Sequence, residues 1–330
     1  MKVAIVILNW NGKKLLEEFL PSVVRFSSGA SIYVADNNST DQSISFLTEA
    51  YPEIKIIQNK ENGGYAKGYN EALQHLTEDI FVLLNNDVEV SEGWLAPVIS
   101  EFQEDSTLVA AQPKILDYKN KDYFEYAGAA GGFIDKLGYP YCRGRIFNTI
   151  EKDKGQYDDV TEIFWATGAC LFVKREAFMD QNGFDEDFFA HQEEIDLCWR
   201  LRSAGGHIKY VGSSEVYHLG GGTLATSNPK KTFFNFRNTL LALVKNVKGA
   251  TVWWLVFQRL VLDGLAGLQF LLQGKGGHLV AVIKAHIGFY RLLPQFIRKR
   301  KKVATTLKYY RIKSIVWNYF VVKKRNFNNH

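Results

Sequence analysis

Four short, mostly apolar runs, at residues 3–8, 31–35, 54–57 and 81–84, constrain this chain more than any other feature of its sequence. Each run is closed by polar residues, and the next begins only after a stretch with helical spacing. An unbroken apolar run reads as a strand buried on both faces, because helices cover both sides of the sheet it joins. The first run ends in Asn9-Trp10-Asn11-Gly12, the second in Asp36-Asn37-Asn38-Ser39-Thr40-Asp41, and the fourth in Asn85-Asn86-Asp87. The third leads into a loop, residues 59–64, whose two glycines permit a tight turn or a close backbone approach. Between the runs, Leu15, Leu16, Phe19, Leu20 and Val23 mark one helix, and Tyr65, Ala66, Tyr69, Ala72, Leu73 and Leu76 mark another. Lys67 and Asn70 on the latter are directed to solvent or to a pocket. The alternation predicts an α/β fold, Rossmann-like, with a mostly parallel central sheet flanked by helices and right-handed crossovers.

Ligands in open α/β sheets bind beyond the carboxyl ends of the strands, where these polar clusters stand. Asp87 offers a carboxylate and Asn85 a neutral carbonyl, a set suited to Mg²⁺ or Mn²⁺ shared with a substrate's phosphates. Taken alone, each cluster is also ordinary turn and cap chemistry. No G-x-G-x-x-G and no G-x-x-x-x-G-K-S/T is present, which argues against dinucleotide and P-loop sites. Farther on, Glu193 and Glu194 open a helix whose buried face is marked by Leu197, Leu201 and Ala204. At that end the helix dipole favours the carboxylate, the form a general base needs. His218 precedes a run of glycines, and by itself a lone histidine is a packed or surface residue.

The segments V-A-I-V-I-L-N-W-N-G, V-A-D-N-N-S-T-D, E-N-G-G-Y-A-K-G-Y-N and L-L-N-N-D-V-E-V, in that order and spacing, resemble the GT-A glycosyltransferases of family 2, above all the bacterial rhamnosyltransferase-like branch. The resemblance runs from about residue 3 to about residue 238. It implies Asp36 as the partner of the nucleotide base with Leu8 and Asn9 beside it, and Asn38, Gly64, Lys67, Asn70 and Asn86 are counted with them on the donor side. N-N-D stands where that family carries D-x-D, so Asp87 is the implied metal residue and Asn85 replaces the first acid. The family's E-D-x-D-L-C reads here as residues 193–198, which puts Glu194 at the catalytic base position, keeps Glu193 as the alternative, and leaves Asp196 either structural or behind the residues that touch substrate. His218 matches a histidine that approaches the diphosphate or metal, and a neutral imidazole there suits Mn²⁺. Arg237, in an aromatic-x-x-R-N segment, is expected either to neutralise phosphate or to cap the domain. The implied activity is inverting transfer of a sugar, with rhamnose favoured, from a dTDP- or UDP-sugar donor to a lipid-linked or polysaccharide acceptor in cell-surface glycan synthesis. The other reading is a non-catalytic, membrane-associated scaffold that keeps the nucleotide-sugar fold.

Between residues 108 and 145 the pattern weakens. Residues 108–116 read as a strand with Pro113 at a sheet edge, and Arg143 and Arg145 read as solvated loop residues near the acceptor. The domain division expected is a catalytic unit at 1–240 and a helical, basic, membrane-associating extension at 241–330. Charge supports that division. After Asp263 there is no acid at all, and fourteen of the 40 Lys and Arg follow it, leaving 26 against 35 acids over residues 1–263. Basic and aromatic residues together suit an anionic membrane surface, although these helices also fit a packed appendage or a homodimer contact. Residues 252–272 are long enough to span a bilayer, but Arg259 and Asp263 interrupt them. No nucleic-acid fold is recognisable. Cys142, Cys170 and Cys198 form no paired motif, and six apolar residues after Met1-Lys2 are too few for a signal, so the expected location is cytoplasmic, peripheral on the inner face of the membrane.

Overall fold

The computed structural model describes residues 1–220, 228–300 and 308–329, so 221–223 of the glycine run and 301–302 of the basic run lie outside the described residues. The chain opens with β1 (Val3–Asn9), α1 (Lys13–Phe26), β2 (Ser31–Asp36), α2 (Ser43–Ala50), β3 (Lys55–Gln58), α3 (Gly64–Leu73) and β4 (Ile80–Asn85). β1 pairs in parallel with β2 and with β4, and β2 with β3. Their unbroken apolar character has the expected cause. Ala4 and Val6 of β1 pack with Ala66, Tyr69 and Ala72 of α3 on one face, while Val3, Ile5 and Ile7 pack with Leu16, Leu20 and Val23 of α1 on the other. Alternate side chains thus enter two separate cores.

The next elements are β5 (Val88–Val90), α4 (Leu95–Glu104), β6 (Leu108–Asp117), four short strands β7 (Gly132–Ile134), β8 (Pro140–Cys142), β9 (Arg145–Ile146) and β10 (Thr149–Ile150), then β11 (Val160–Glu162), β12 (Cys170–Lys174), α5 (Arg175–Asp180), α6 (Glu193–Ser203) and β13 (His207–His218). Among the described residues the central sheet runs β11-β13-β6-β12-β4-β1-β2-β3, with β5 added to β13. β12 lies antiparallel between β4 and β6, so the sheet is mixed, with its parallel half on the β4 to β3 side. β7 to β10 form a separate four-stranded sheet.

Three expectations fail in this part of the chain. Pro113 is not at an edge: β6 is central, and Pro113 sits where the register with β13 shifts between Val211 and Glu215, an irregularity that absorbs its missing N–H. Arg143 and Arg145 are not solvated. Arg143 is buried against Tyr157 and Tyr210 and pairs with Asp159, and Arg145 is buried over the ring of Tyr126 and donates to its carbonyl at 2.8 Å. Aromatic faces and local acids replace the water that a loop would have supplied.

Helices α7 (Pro229–Asn246), α8 (Thr251–Leu272), α9 (Gly276–Lys299) and α10 (Ile315–Phe320) complete the fold. α7 runs through residue 240 without a break, and Leu243, Val252, Phe289 and Ile315 share one core with the sheet. α8 is long and apolar enough to cross a membrane, yet its inward face carries its charges. Arg259 is buried over the Tyr139 ring at 3.7 Å, donates to the Leu137 carbonyl at 2.9 Å, and lies 3.4 Å from Asp263. Removing one partner leaves a buried charge uncompensated, so Asp263→Ala is expected to cost about 3–5 kcal/mol in chemical denaturation. An unchanged midpoint would show that Tyr139 and Leu137 alone hold Arg259.

Candidate active site

The register of the parallel strands brings the first group of residues together. Asn9 is opposite Asp36, and Leu8 is opposite Asn85, so the polar ends of β1, β2 and β4 emerge at one edge. Asn86 Nδ2 donates to Asn9 Oδ1 at 3.0 Å, and Asn9 Nδ2 donates to Asp36 Oδ1 at 3.1 Å. The Ser39 hydroxyl donates to the same Asp36 oxygen, the Ser39 N–H donates to Oδ2 at 2.8 Å, and the carboxylate is buried. Oδ2 keeps a lone pair for a donor on a bound base.

The remaining donor-side residues divide. Gly64 holds a left-handed φ of 75°, and a Cβ there would come within 2.7 Å of the Phe189 carbonyl, so only glycine fits beneath that loop. Asn38 is exposed at the turn, while its neighbour Asn37 is buried, donates to the Gly64 carbonyl at 2.9 Å and accepts from Asn59 at 2.7 Å. Lys67 pairs with Glu61 and lies 3.6 Å from Glu71. Asn70 donates to the Phe184 carbonyl at 2.9 Å and to Glu186 at 3.1 Å. Asn38, Lys67 and Asn70 are therefore engaged in the fold or in solvent, and Leu8, Asn9, Asp36 and Asn86 converge.

Beyond β4 a second group forms around His218, which the β5–β13 pairing sets opposite Val88. Its Nε2 lies 3.1 Å from Asp87 Oδ1 and 3.4 Å from Asn85 Nδ2, and its Nδ1 lies 3.5 Å from Glu125. Two ligands on adjacent corners of an octahedron with bonds of about 2.1 Å are about 3 Å apart, so Asp87 and His218 are spaced to share one cation. Among the described residues no three His, Cys, Asp or Glu are grouped so as to hold a metal ion, so a cation here would need its other ligands from phosphate oxygens and water. The expectation of a neutral imidazole does not hold for the protein by itself. Burial opposes the charge on His218, but Glu125 and Asp87 override it and push the ring up to about 10. A cation there would displace a proton.

The third group stands at the head of α6. Burial pushes Glu193 well up, with Glu194 adding to the effect, and burial pushes Glu194 up to about 7. The helix dipole was expected to keep both ionised, and desolvation outweighs it. Burial, helped by the charges of Glu193 and Glu194, pushes the Tyr65 phenol well up, and its hydroxyl donates to the Gly168 carbonyl at 2.8 Å. The adjoining Ala169 carbonyl accepts from the Asn85 N–H at 3.0 Å. Among the described residues, six buried side-chain atoms lack hydrogen-bond partners, and three of them belong to His191, Glu193 and Glu194 at the head of α6. Buried polar groups are almost always satisfied, so this concentration marks a place completed by a ligand. Asp196 is structural as expected, held down to about 2, against the effect of its burial, by Arg200 and Lys245.

Sequence reasoning missed Glu125, Tyr65, Asn37 and His191. Glu125 lies in a stretch without periodicity, and Tyr65 reads as core. The asparagine pair at 37–38 gives no sign of which member turns inward until the backbone at Asn38 adopts φ 59°.

Glu194 has a pH signature. Its folded pKa is raised, so the native state binds its proton more tightly than the unfolded chain, and stability falls as pH rises from about 4.5 to about 7. Glu194→Gln removes that loss. The variant is expected to match wild type in thermal stability near pH 4.5 and to exceed it at pH 8, by about 1.4 kcal/mol for every tenfold by which folding tightens proton binding, before solvent screening. A difference that does not vary with pH would contradict the burial of this carboxyl.

The profile described as Glycosyl transferase family 2 matches residues 4–180. The chain is 26% identical over 284 residues to an N-acetylglucosaminyl-diphospho-decaprenol L-rhamnosyltransferase of Mycobacterium tuberculosis, covering 80% of this chain and 90% of that one. Among solved structures, S. aureus TarS 1-349 aligns with a TM-score of 0.57 at 16% identity over 90% of this chain and 82% of that chain. The mannosyltransferase PcManGT from Pyrobaculum calidifontis, in complex with GDP-Man and Mn²⁺, aligns with a TM-score of 0.55 at 14% identity, covering 88% of this chain and 87% of that one. The two structures share the fold. With the profile spanning more than half of the sequence, from β1 through the Asp36 loop and Asp87 to α5, this chain belongs to glycosyl transferase family 2.

Proposed function

We propose that the protein transfers one sugar, rhamnose by analogy with the mycobacterial relative, from a dTDP- or UDP-linked donor to a hydroxyl of a lipid-linked glycan, with inversion. The observation that carries this reading is the carboxyl pair at the head of α6, with one oxygen of each left unpartnered and with its charge felt by Tyr65, whose hydroxyl meets the Gly168–Ala169 turn that holds Asn85 beside the Asp87–His218 pair. Asp36 and Asn9 receive the base, and Asn86 braces Asn9. The acceptor oxygen attacks the anomeric carbon as the bond from that carbon to the diphosphate oxygen breaks, and the electron pair leaves with the nucleoside diphosphate. Glu194 takes the acceptor's proton. A base pushed up to about 7 can take a proton during the reaction and release it afterwards at neutral pH. Single displacement inverts the centre and requires no covalent intermediate. A divalent cation, Mg²⁺ or Mn²⁺, held by Asp87 and His218 would neutralise charge on the leaving diphosphate. Asn85 gives that cation one charge fewer than the acid it replaces.

A lipid-linked acceptor calls for a membrane surface, and α8 and α9 supply one at the inner face of the cell membrane. α8 is inverted relative to an ordinary amphipathic helix. Arg259 and Asp263 are buried inward, while Trp254, Phe257, Val261, Leu265, Leu268 and Leu272 face outward at helical spacing and are at least half exposed. On α9, exposed Val280, Ile283, Ile287, Tyr290 and Ile297 lie beside Lys284, Arg291 and Arg298, which recur every seven residues. An apolar stripe beside a basic one fits a helix lying in the plane of an anionic monolayer, each cation near the surface contributing about 1 kcal/mol.

Two measurements test the proposal. In a transfer assay with dTDP-rhamnose and a polyprenyl diphospho-N-acetylglucosamine, Glu194→Gln is expected to lower kcat by about 10²–10⁴-fold, and Asp87→Ala to abolish the gain from added Mn²⁺. Equal background rates in wild type and both variants would favour the non-catalytic scaffold. In flotation with phosphatidylglycerol vesicles, the wild type is expected to float in low salt and Phe257→Glu/Leu265→Glu to remain in solution. Flotation of that variant would mean that the membrane meets another face.

A further inference from the structure

The five residues leading into α6 hold a conformation that they cannot maintain alone. Phe189 has φ 64° and ψ −57°, His191 φ 67° and Gln192 φ 78°, all without a glycine. The Ala190 N–H donates to the Phe188 carbonyl at 2.8 Å, which closes a γ-turn on Phe189 of the rare, strained hand. Non-glycine residues in such conformations persist only where their surroundings over-determine them. The strain also turns the carbonyls of Phe188, Ala190 and His191 away from the helix and toward α7.

One side chain meets all three. Asn238 Nδ2 lies 3.0 Å from the Phe188 carbonyl, 2.9 Å from that of Ala190 and 2.7 Å from that of His191, and the residue is fully buried. Its amide cannot be reversed, because Oδ1 accepts from Arg237 Nε at 2.8 Å and a guanidinium only donates. The same guanidinium reaches the Asp187 and Phe188 carbonyls at 3.2 and 3.1 Å. Phe234, one turn earlier on α7, stacks on Phe189 at 5.6 Å, and the Phe189 carbonyl accepts from the Tyr65 N–H at 3.2 Å. The Gln192 carbonyl then accepts the first turn of α6 from Asp196, which sets the direction of Glu193 and Glu194.

We infer that Asn238, oriented by Arg237, is a positioning residue that holds the strained 188–192 loop so that the carboxyl pair of α6 faces the donor site. This rests on the reading that Glu193 or Glu194 supplies the base. Arg237 accordingly spends Nε and Nη2 on Asn238 and the loop, a task beside the two roles expected for it. Asn238 spends its amide hydrogens on the loop and acts through the glutamates alone.

The test uses the full chain with Asn238→Asp, an isosteric change that points a carboxylate at three carbonyl oxygens, and Arg237→Ala as a second variant should the first not fold. With dTDP-rhamnose, Mn²⁺ and a polyprenyl diphospho-N-acetylglucosamine, kcat is expected to fall about 30-fold or more while the donor KM stays within about twofold. Hydrogen exchange is expected to rise in peptides covering 187–195 and to stay unchanged in β1 and β4. Wild-type kcat with wild-type exchange in the folded variant overturns the inference, as does a raised donor KM at unchanged kcat. If Glu193→Gln and Glu194→Gln both keep wild-type kcat, the base assignment fails separately. The exchange arm still decides whether Asn238 holds the loop.

Discussion

Everything at the site depends on three parallel strands, β1, β2 and β4, that are dry on both faces and wet at one end. Helices α1 and α3 leave no face of β1 exposed, so its apolar run continues until the sheet stops, and polar side chains collect beyond it. The pairing of Asn9 with Asp36 and of Leu8 with Asn85 then fixes which polar groups touch. A slip of one residue would reverse every side chain of a strand between the two cores, which is why the hydrogen-bonded row Asn86, Asn9, Asp36 and Ser39 is held so firmly.

The opposite rim is built by another means. Glu193 is buried and Glu194 half-buried, each keeps one enclosed carboxyl oxygen without a partner, and the loop before them is strained. Local rules are broken there together, as happens where a site is poised for a ligand. Support comes from the far side: Asn238 and Arg237 hold the loop carbonyls, and Lys245 reaches Asp185 and Asp196 at 2.7 and 2.8 Å. Helix α7 is therefore packed into the same body as α6, and α9, packed on α7 and paired through Lys299 with Asp185 and Asp187, continues from it.

That continuity gives the basic end of the chain a definite setting. α8 puts its ion pair inside beside Val252, Leu255 and Val256, and turns both tryptophans and Leu265, Leu268, Leu271 and Leu272 outside, which water would not select. The charged pair is satisfied by Tyr139 and Leu137 of the sheet domain. An outward apolar face with no charge on it needs a partner other than water, and the proposal of a monolayer also accounts for the absence of acids after Asp263.

Particular residues show how much could be read without coordinates. Asp36, Asn9, Asn86 and Asp87 were legible, because each directly ends or follows a buried run, and the order of strands and helices dictates the edge they share. His218 and the glutamates were legible only by resemblance, since an acid at a helix start or a single histidine has no local pattern that separates chemistry from packing. Helical spacing shows that Lys67 and Asn70 leave the packed face, but not that Glu61 and the Phe184 carbonyl bond them. The burial of Arg143 and Arg145, the central place of Pro113 and the inward turn of Asn37 come from long-range pairing and single dihedral angles. The sequence by itself determined the parallel half of the sheet and its polar edge, since burial on two faces forces a local, periodic pattern. Only the tertiary structure decided the ionisation of His218 and Glu194 and the task of Asn238, because desolvation and a shared donor exist only once distant segments are packed together.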